Sequence, residues 1–127
     1  MRNYKKLRAF ELADELVVAI YHCTKSFPND ERFGLTSQMR RAAVSIPSNI
    51  VEGSSRNTLA EYLRFLDIAY GSACELEYQV NLAFRLGYMD EQSSVALEAK
   101  CGETARVLNG LIAGLRKRQT DSLEPGA

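Results

Sequence analysis

The sequence predicts an all-α protein folded as a single antiparallel, up-down-up-down four-helix bundle. In four successive segments, apolar residues recur at alternating spacings of three and four, which is the period of an amphipathic helix. The connections before the third and fourth segments are short, which favours antiparallel neighbours. A chain of 127 residues is long enough for one domain with a buried core. We predict the bundle over residues 1–118 and a flexible C-terminal tail over residues 119–127.

Local signals place the helix ends. Thr58 followed three residues later by Glu61 forms a capping box that starts the third helix. Gly87 is expected to end that helix, and Asp90 to cap the fourth. The predicted helices lie near residues 6–26, 35–53, 58–86 and 90–117.

The second helix contains a proline. Pro47 removes one backbone hydrogen bond and clashes with the preceding turn, so we predict a kink in this second helix. The helix is expected to begin after Gly34, with Thr36 or Ser37 as its N-cap.

The third helix gives the clearest apolar pattern. Its a and d positions continue without a break and comprise Leu59, Tyr62, Leu66, Ala69, Ala73, Leu76, Val80 and Ala83. A second stripe beside this seam comprises Leu63, Tyr70, Glu77 and Phe84. A helix that is apolar over more than one face requires a further partner for the additional face. The sequence therefore predicts a homo-oligomer.

The cysteines and the histidine argue against a metal centre. Cys23, Cys74 and Cys101 lie far apart on apolar stripes, and each is expected to be a buried small hydrophobic residue. An odd count without metal-ligand spacing is typical of a reducing compartment. Because His22 is the only histidine, a zinc motif that needs two histidines is impossible.

The carboxylates of the second and third helices are the remaining metal-ligand candidates. Glu52, Glu61, Glu75 and Glu77 lie there, but di-iron bundles also need Glu-x-x-His motifs on two helices, which this sequence lacks. It also has no glycine-rich phosphate loop. We therefore predict that the protein is not an enzyme and requires no cofactor, no metal and no small-molecule substrate.

The distribution of apolar and charged residues predicts a cytoplasmic protein. No apolar run approaches the ~20 residues that span a bilayer. The basic start is followed by Glu11, Asp14 and Glu15, which excludes an uncharged signal-peptide core. We expect no membrane contact.

Three stretches of the sequence together resemble a known family. They are Phe27-Pro28 followed by 33–38 (FGLTSQ), 40–53 (RRAAVSIPSNIVEG), and 61–66 (EYLRFL) followed by 69–77 (AYGSACELE). They are similar to the four-helix-bundle proteins encoded by intervening sequences within bacterial 23S ribosomal RNA genes. The resemblance extends from about Leu7 to Leu115. Val51 departs from the family pattern, which more often has alanine there.

This resemblance implies an assembly. Such bundles form a cyclic homo-oligomer, typically a pentamer, and the function of the family is poorly defined. A related group, the accessory proteins of diversity-generating retroelements, partners a reverse transcriptase and binds nucleic acid. Nothing in this sequence places it in a retroelement, so that role is not transferred.

Three polar residues beside Pro47 form a structural polar motif. Ser45, Asn49 and Glu52 are spaced by four and three, which places them on one helical face. A functional interpretation makes them a ligand site. A structural interpretation, which we favour, has them bond backbone groups freed by Pro47 or join a network between subunits.

The formal net charge is zero, but the charge is polarised between the two ends of the predicted bundle. The basic pole comprises residues 1–8, 53–64 and 114–118, and its one acidic residue is Glu61. Against that acid stand nine cations: Arg2, Lys5, Lys6, Arg8, Arg56, Arg64, Arg116, Lys117 and Arg118. The opposite pole, residues 25–33 and 84–92, mixes both signs.

The basic pole favours nucleic-acid binding. Cations before the first helix gain nothing from its dipole, since a helix start prefers anions. A ring would multiply the pole and present it to phosphates. We predict that RNA or DNA binds through Lys5, Lys6, Arg8, Arg56, Arg64, Arg116, Lys117 and Arg118. The alternative is a protein–protein scaffold or accessory subunit that binds no nucleic acid.

Overall fold

The structure, a computed structural model, describes residues 2–123 and the side chains of residues 2–121. Within that range it contains four α-helices and no strand, which confirms the predicted all-α class. Two short 3-10 turns lie at Tyr4–Lys6 and Asn29–Glu31. The helices are α1 (Arg8–Thr24), α2 (Leu35–Ser54), α3 (Leu59–Arg85) and α4 (Glu91–Leu123).

The four helices pack around a closed cycle. Each helix contacts its two neighbours in the order α1–α2–α3–α4–α1. Over the described part of the chain, the diagonal pairs α1–α3 and α2–α4 make no close backbone contact. Because each connection reverses the chain, the architecture is the predicted antiparallel four-helix bundle.

The core lies along the stripes that the periodicity predicts. In α3, every a and d residue from Tyr62 to Ala83 is buried, and Leu59 in the first turn is half-buried. Leu16 of α1 and Ile46 of α2 are fully buried with them. Removing a large aliphatic side chain of this kind from water stabilises the fold by roughly 1.5–3 kcal/mol.

The predicted signals at both ends of α3 and at the start of α4 are confirmed. The Glu61 N–H donates to the Thr58 hydroxyl (3.2 Å), and the Ser93 N–H donates to the Asp90 carboxylate (2.7 Å). This second bond lowers the pKa of Asp90, because it favours the ionised carboxylate. Gly87 has a φ of +81°, the left-handed conformation expected just after a helix.

The start of α2 is capped differently from the prediction. The helix begins at Leu35 as expected, but neither Thr36 nor Ser37 is its N-cap, and Thr36 is buried inside the first turn. The residue at the N-cap position is Gly34, and the Glu31 carboxylate accepts the hydrogen bond from the Leu35 N–H (3.1 Å). A carboxylate of the preceding 3-10 turn thus satisfies a helix donor that we had expected a hydroxyl to satisfy.

The fourth helix is longer than predicted. It continues to Leu123 rather than ending near residue 117, so residues 119–123 of the predicted tail are helical. The sequence from Leu115 to Leu123 contains neither proline nor glycine to stop it. The remaining residues of the predicted tail, 124–127, lie outside the described residues.

The first helix begins slightly later than predicted. The 3-10 turn and the extended Leu7 precede α1, which therefore begins at Arg8 rather than near residue 6. The second helix runs continuously through Pro47. The kink at that proline stays a prediction.

Candidate nucleic-acid interface

The start of the chain lies against the connection between α2 and α3. The Arg2 backbone N–H donates to the Ser54 carbonyl (3.1 Å), and the Arg2 guanidinium donates to the Arg56 carbonyl (2.9 Å). The same guanidinium lies over the Tyr62 ring, 4.3 Å from its centroid. These contacts bring two segments of the predicted basic pole together.

The third segment of the basic pole comes from α4. The Arg116 guanidinium donates to the Asp67 carboxylate of α3 (2.5 Å). This ion pair ties the later part of α4 to the early part of α3. The three segments that define the basic pole therefore lie at the same end of the bundle.

Half of the eight predicted nucleic-acid-binding residues are ion-paired. The three sequence segments that define the pole contain one acidic residue, but carboxylates from neighbouring helical turns also lie close enough to pair with its arginines. The pairs are Arg8–Glu103 (2.6 Å), Arg56–Glu52, Arg64–Glu61 (3.0 Å) and Arg116–Asp67 (2.5 Å). Because three of the four acids lie outside the segments that define the pole, its net charge is smaller than the sequence indicated.

The other four predicted residues carry uncompensated charge. Their side chains are exposed, and none has a carboxylate partner among the residues that the structure describes. They are Lys5, Lys6, Lys117 and Arg118. These four side chains are the ones that a phosphate can approach without displacing an acid.

Two of the paired arginines also stack on an aromatic ring. The guanidinium carbons of Arg56 and Arg64 lie 4.8 and 4.5 Å from the centroid of the Phe65 ring. The Arg56 Nε is buried and has no acceptor among the described residues. Stacking and ion pairing together hold these two side chains against α3, so they are less free to follow a ligand than the lysines.

The structural polar motif is only partly assembled. The Asn49 amide donates to the Ser45 carbonyl (2.7 Å) and to the Ser45 hydroxyl (3.0 Å). The Ser45 hydroxyl also lies 2.8 Å from that of Ser72 on α3, whereas Glu52 pairs with Arg56 instead. The carbonyl that loses its donor at Pro47 is the one four residues earlier, at position 43, whereas the Asn49 amide donates to Ser45. The interpretation of these residues therefore stays open.

Two sequence-based expectations about side-chain burial need correction. Cys101 is buried and Cys23 half-buried, but Cys74 is exposed, because its position lies outside the α3 core stripe. Burial raises the pKa of Cys101 to about 12 and that of Cys23 to about 11. Both thiols are therefore protonated at neutral pH.

The second stripe of α3 is also used differently from the prediction. Leu63 is buried within the same chain, while Tyr70 and Phe84 are 37% and 36% exposed. Of the four residues of this stripe, the bundle buries only Leu63. The stripe alone is a weaker argument for an oligomer than the sequence indicated.

A second arginine-rich surface, which the sequence did not lead us to expect, lies between α1 and the start of α2. An open groove of about 650 Å³ is lined there by Arg32, Arg40 and Arg41, together with the rings of Tyr21 and Phe33. Of the described residues that line it, none is acidic. Phe33 is 87% exposed. The sequence signal that could have indicated this groove is the adjacent Arg40-Arg41 pair together with Tyr21 and Phe33.

Neither a metal centre nor a membrane span emerges from residues 2–123. No group of three His, Cys, Asp or Glu side chains within this range lies close enough to hold a metal ion. None of the helices in this range is both long and apolar enough to cross a membrane.

Comparison with known proteins gives the family. The sequence profile described as 23S rRNA-intervening sequence protein matches residues 5–110. The chain belongs to this family. The match includes Lys5, Lys6, Arg8, Arg56 and Arg64 of the basic pole, while the cations of α4 lie beyond it.

One solved structure extends the comparison to three dimensions. It is a crystal structure of a protein with unknown function from the S23 ribosomal protein family of Bacteroides thetaiotaomicron VPI-5482, which superimposes with a TM-score of 0.77. The two chains are 25% identical, and the match covers 83% of this chain and 95% of that one. No curated protein matches the chain.

The stretches that carry the family resemblance meet in the structure. Residues 40–53 lie in α2 and residues 61–77 in α3, two helices that pack extensively against each other. Gly53 permits this close approach, since a Cβ there would lie 2.9 Å from the Phe65 Cβ. In this member of the 23S rRNA-intervening sequence protein family, the most distinctive sequence thus coincides with the α2–α3 contact.

Proposed function

We propose that this protein is a non-catalytic, cytoplasmic homo-oligomer that binds nucleic acid through its basic pole. The observation that carries the proposal is the uncompensated charge at one end of the bundle. The chain start is held there by Arg2, and four exposed cations at this end of the bundle lack carboxylate partners among the described residues. These cations are Lys5, Lys6, Lys117 and Arg118.

Phosphate binding by these side chains is favoured on two grounds. A cation that neutralises a phosphate releases condensed counterions from the nucleic acid, which drives binding at low salt. The ion-paired arginines must first leave their carboxylates, and exposed pairs of this kind are worth about 0–1 kcal/mol. The arginines are therefore secondary contacts, and the unpaired cations are primary ones.

Assembly into a ring, a pentamer by resemblance, would bring several basic poles to one face. A second observation supports self-association. Gly71 lies within α3 at an exposed position, and a Cβ there would meet no described atom within 4 Å. A helical glycine costs about 1 kcal/mol relative to alanine, and the isolated chain offers no packing reason for it. Close approach of a second copy supplies such a reason.

The assembly is tested by sedimentation at micromolar concentration. We expect a closed oligomer, and a monomer of 14.2 kDa would contradict it. Replacing Gly71 by leucine should weaken assembly if a second copy packs there. The matched control is Gly110→Leu in α4, another helical glycine at which an added Cβ would meet no atom within 4 Å.

The nucleic-acid function is tested by fluorescence anisotropy. Labelled RNA and DNA duplexes are titrated at two salt concentrations with the wild type and with the triple variant Lys5→Glu, Lys6→Glu, Lys117→Glu. We expect the triple variant to weaken binding of every sequence by at least tenfold, because the contact is to phosphate. The double variant Asp30→Lys, Glu91→Lys at the opposite pole should not weaken it. Failure of the intact wild-type oligomer to bind at low salt would overturn the proposal.

A scaffold role is the second candidate function, and exposed apolar side chains favour it. Tyr78 of α3 and Val95 of α4 are each 59% exposed. A protein partner bound through such a surface would stay bound at high salt, because apolar burial is not screened. Salt-resistant co-purification of one partner, with no nucleic-acid binding, would support the scaffold instead.

A further inference from the structure

We propose that the groove between α1 and the start of α2 binds single-stranded nucleic acid. This inference rests on the proposed nucleic-acid function and extends it to a surface distinct from the basic pole. The groove combines uncompensated guanidinium groups with exposed aromatic rings, the two elements that single-strand binding sites use.

The charge of the groove is uncompensated. Arg32, Arg40 and Arg41 form no ion pair with any described carboxylate. Arg40 is held in place, since its Nε donates to the Thr24 hydroxyl (2.9 Å). Arg41 is exposed and makes no hydrogen bond to a described residue. The groove thus presents three guanidinium groups to an anion, one of them held by a hydrogen bond.

The aromatic rings supply a stacking surface. Phe33 is 87% exposed although the Arg32 guanidinium lies over its ring, and such exposure is unfavourable for an apolar side chain. Arg32 lies 5.3 Å from the Phe33 centroid, and Arg40 lies 4.6 Å from that of Tyr21. Because the Phe33 ring stays largely exposed beside Arg32, a base can stack on it.

This combination selects single strands over duplexes. Bases within a duplex are already stacked on one another, whereas the bases of a single strand are free to stack on aromatic side chains. The groove volume of about 650 Å³ is in the range of pockets that enclose small organic groups. An acidic protein segment would satisfy the arginines but would leave the exposed Phe33 ring unexplained.

The test compares two arginine–aromatic pairs in the full-length protein. The groove variant is Phe33→Ala with Arg41→Gln, and the matched control is Tyr78→Ala with Arg85→Gln. Like the groove variant, the control loses one arginine and one exposed aromatic ring; the Arg85 guanidinium carbon lies 5.8 Å from the Tyr78 centroid, comparable to the 5.3 Å between Arg32 and Phe33. Anisotropy is measured with a labelled ten-nucleotide oligouridylate and with a labelled RNA duplex.

We expect the groove variant to bind oligouridylate about tenfold more weakly or worse and to bind the duplex as the wild type does. Loss of Arg41 should also lower the salt slope for the single strand by about 0.7. The control variant should match the wild type on both probes. Circular dichroism checks that both variants are folded.

Three results would overturn the proposal. Equal oligouridylate affinity of the groove and control variants would show that the groove does not contact the single strand. The proposed function would still stand in that case if the triple lysine variant of the basic pole lost duplex binding. A changed sedimentation coefficient of the groove variant would identify the groove as an interface between copies. Absence of wild-type binding to both probes at low salt would remove the proposed function as well.

Discussion

The two ends of the bundle use their charged residues differently. At the opposite pole, the Glu31 carboxylate accepts hydrogen bonds from the Leu35 N–H (3.1 Å) and from the Tyr88 hydroxyl (2.8 Å). The Tyr88 ring packs against Phe27, with centroids 5.5 Å apart. At the basic pole, Lys5 and Lys6 are exposed and have no such partners among the described residues. The Glu31 carboxylate thus holds the connections at the opposite pole together, whereas the unpaired lysines of the basic pole are available to a ligand.

Phe27→Ala should show the largest effect on stability. Phe27 is buried beneath the connection at the opposite pole, and truncation of a buried phenylalanine costs about 3 kcal/mol or more. The matched control is Phe33→Ala in the same connection, where the ring is 87% exposed. Urea denaturation at fixed protein concentration measures both. Equal losses of unfolding free energy in the two variants would contradict the assignment of Phe27 to the core.

Gly53→Ala should show the next largest effect, this time at the basic pole. The added Cβ would lie 2.9 Å from the Phe65 Cβ and 3.3 Å from the Tyr62 carbonyl oxygen, and neither atom can rotate away. We expect a loss of about 1–3 kcal/mol, typical of overpacking. Gly110→Ala in α4 is the control, because its added Cβ meets no described atom within 4 Å and alanine is the better helix former. An unchanged free energy of unfolding in Gly53→Ala would show that α2 and α3 are more widely separated at this position than the structure indicates.

Glu31→Gln should change the pH dependence of stability, the smallest of these effects. The pKa of Glu31 is lowered first by the Leu35 N–H and then by the Tyr88 hydroxyl. A lowered folded-state pKa contributes stability that is fully present above the unfolded value of about 4.3 and is lost as the pH falls through the folded value. The variant should therefore be less stable at pH 7 and should converge with the wild type in acid.

The control for this pH experiment is Glu15→Gln, an exposed carboxylate of α1 outside both poles. Thermal unfolding measures the stability of the wild type and of both variants from pH 7 down to strongly acidic pH. A constant difference between Glu31→Gln and the wild type across this range would show that Glu31 does not act through its charge.

The fold was predictable because its determinants are local. The period of α3, the capping box at Thr58 and the left-handed Gly87 each depend on residues within a few positions of one another. The cap of α2 was mispredicted because its acceptor, Glu31, belongs to the preceding turn. The end of α4 was misplaced because none of residues 116–121 is buried, so no core residue among them marks the continuation of the helix.

The candidate site was predictable only in outline. Antiparallel topology correctly placed the three basic segments at one end, but it gave no register between helices. Without a register, the sequence could not predict that Arg8 pairs with Glu103 or that Arg116 pairs with Asp67. The arginine groove was missed for the same reason, since Tyr21 and Arg41 become neighbours only when α1 packs on α2.

The salt dependence of duplex binding by the assembled protein tests the role of the unpaired cations most directly. One variant neutralises three unpaired cations, Lys5→Gln, Lys6→Gln and Lys117→Gln. The other variant removes three ion pairs at unchanged net charge. Its substitutions, pair by pair, are Arg8→Gln with Glu103→Gln, Arg64→Gln with Glu61→Gln, and Arg116→Gln with Asp67→Asn.

We predict that the lysine variant loses affinity and that its slope of log affinity against log salt falls by up to about 0.9 for each phosphate contact removed. The pair-removal variant should keep most of its affinity and a slope near that of the wild type. An unchanged slope in the lysine variant, in a protein that still assembles and binds, would contradict the claim that the unpaired cations of the basic pole are the primary contacts.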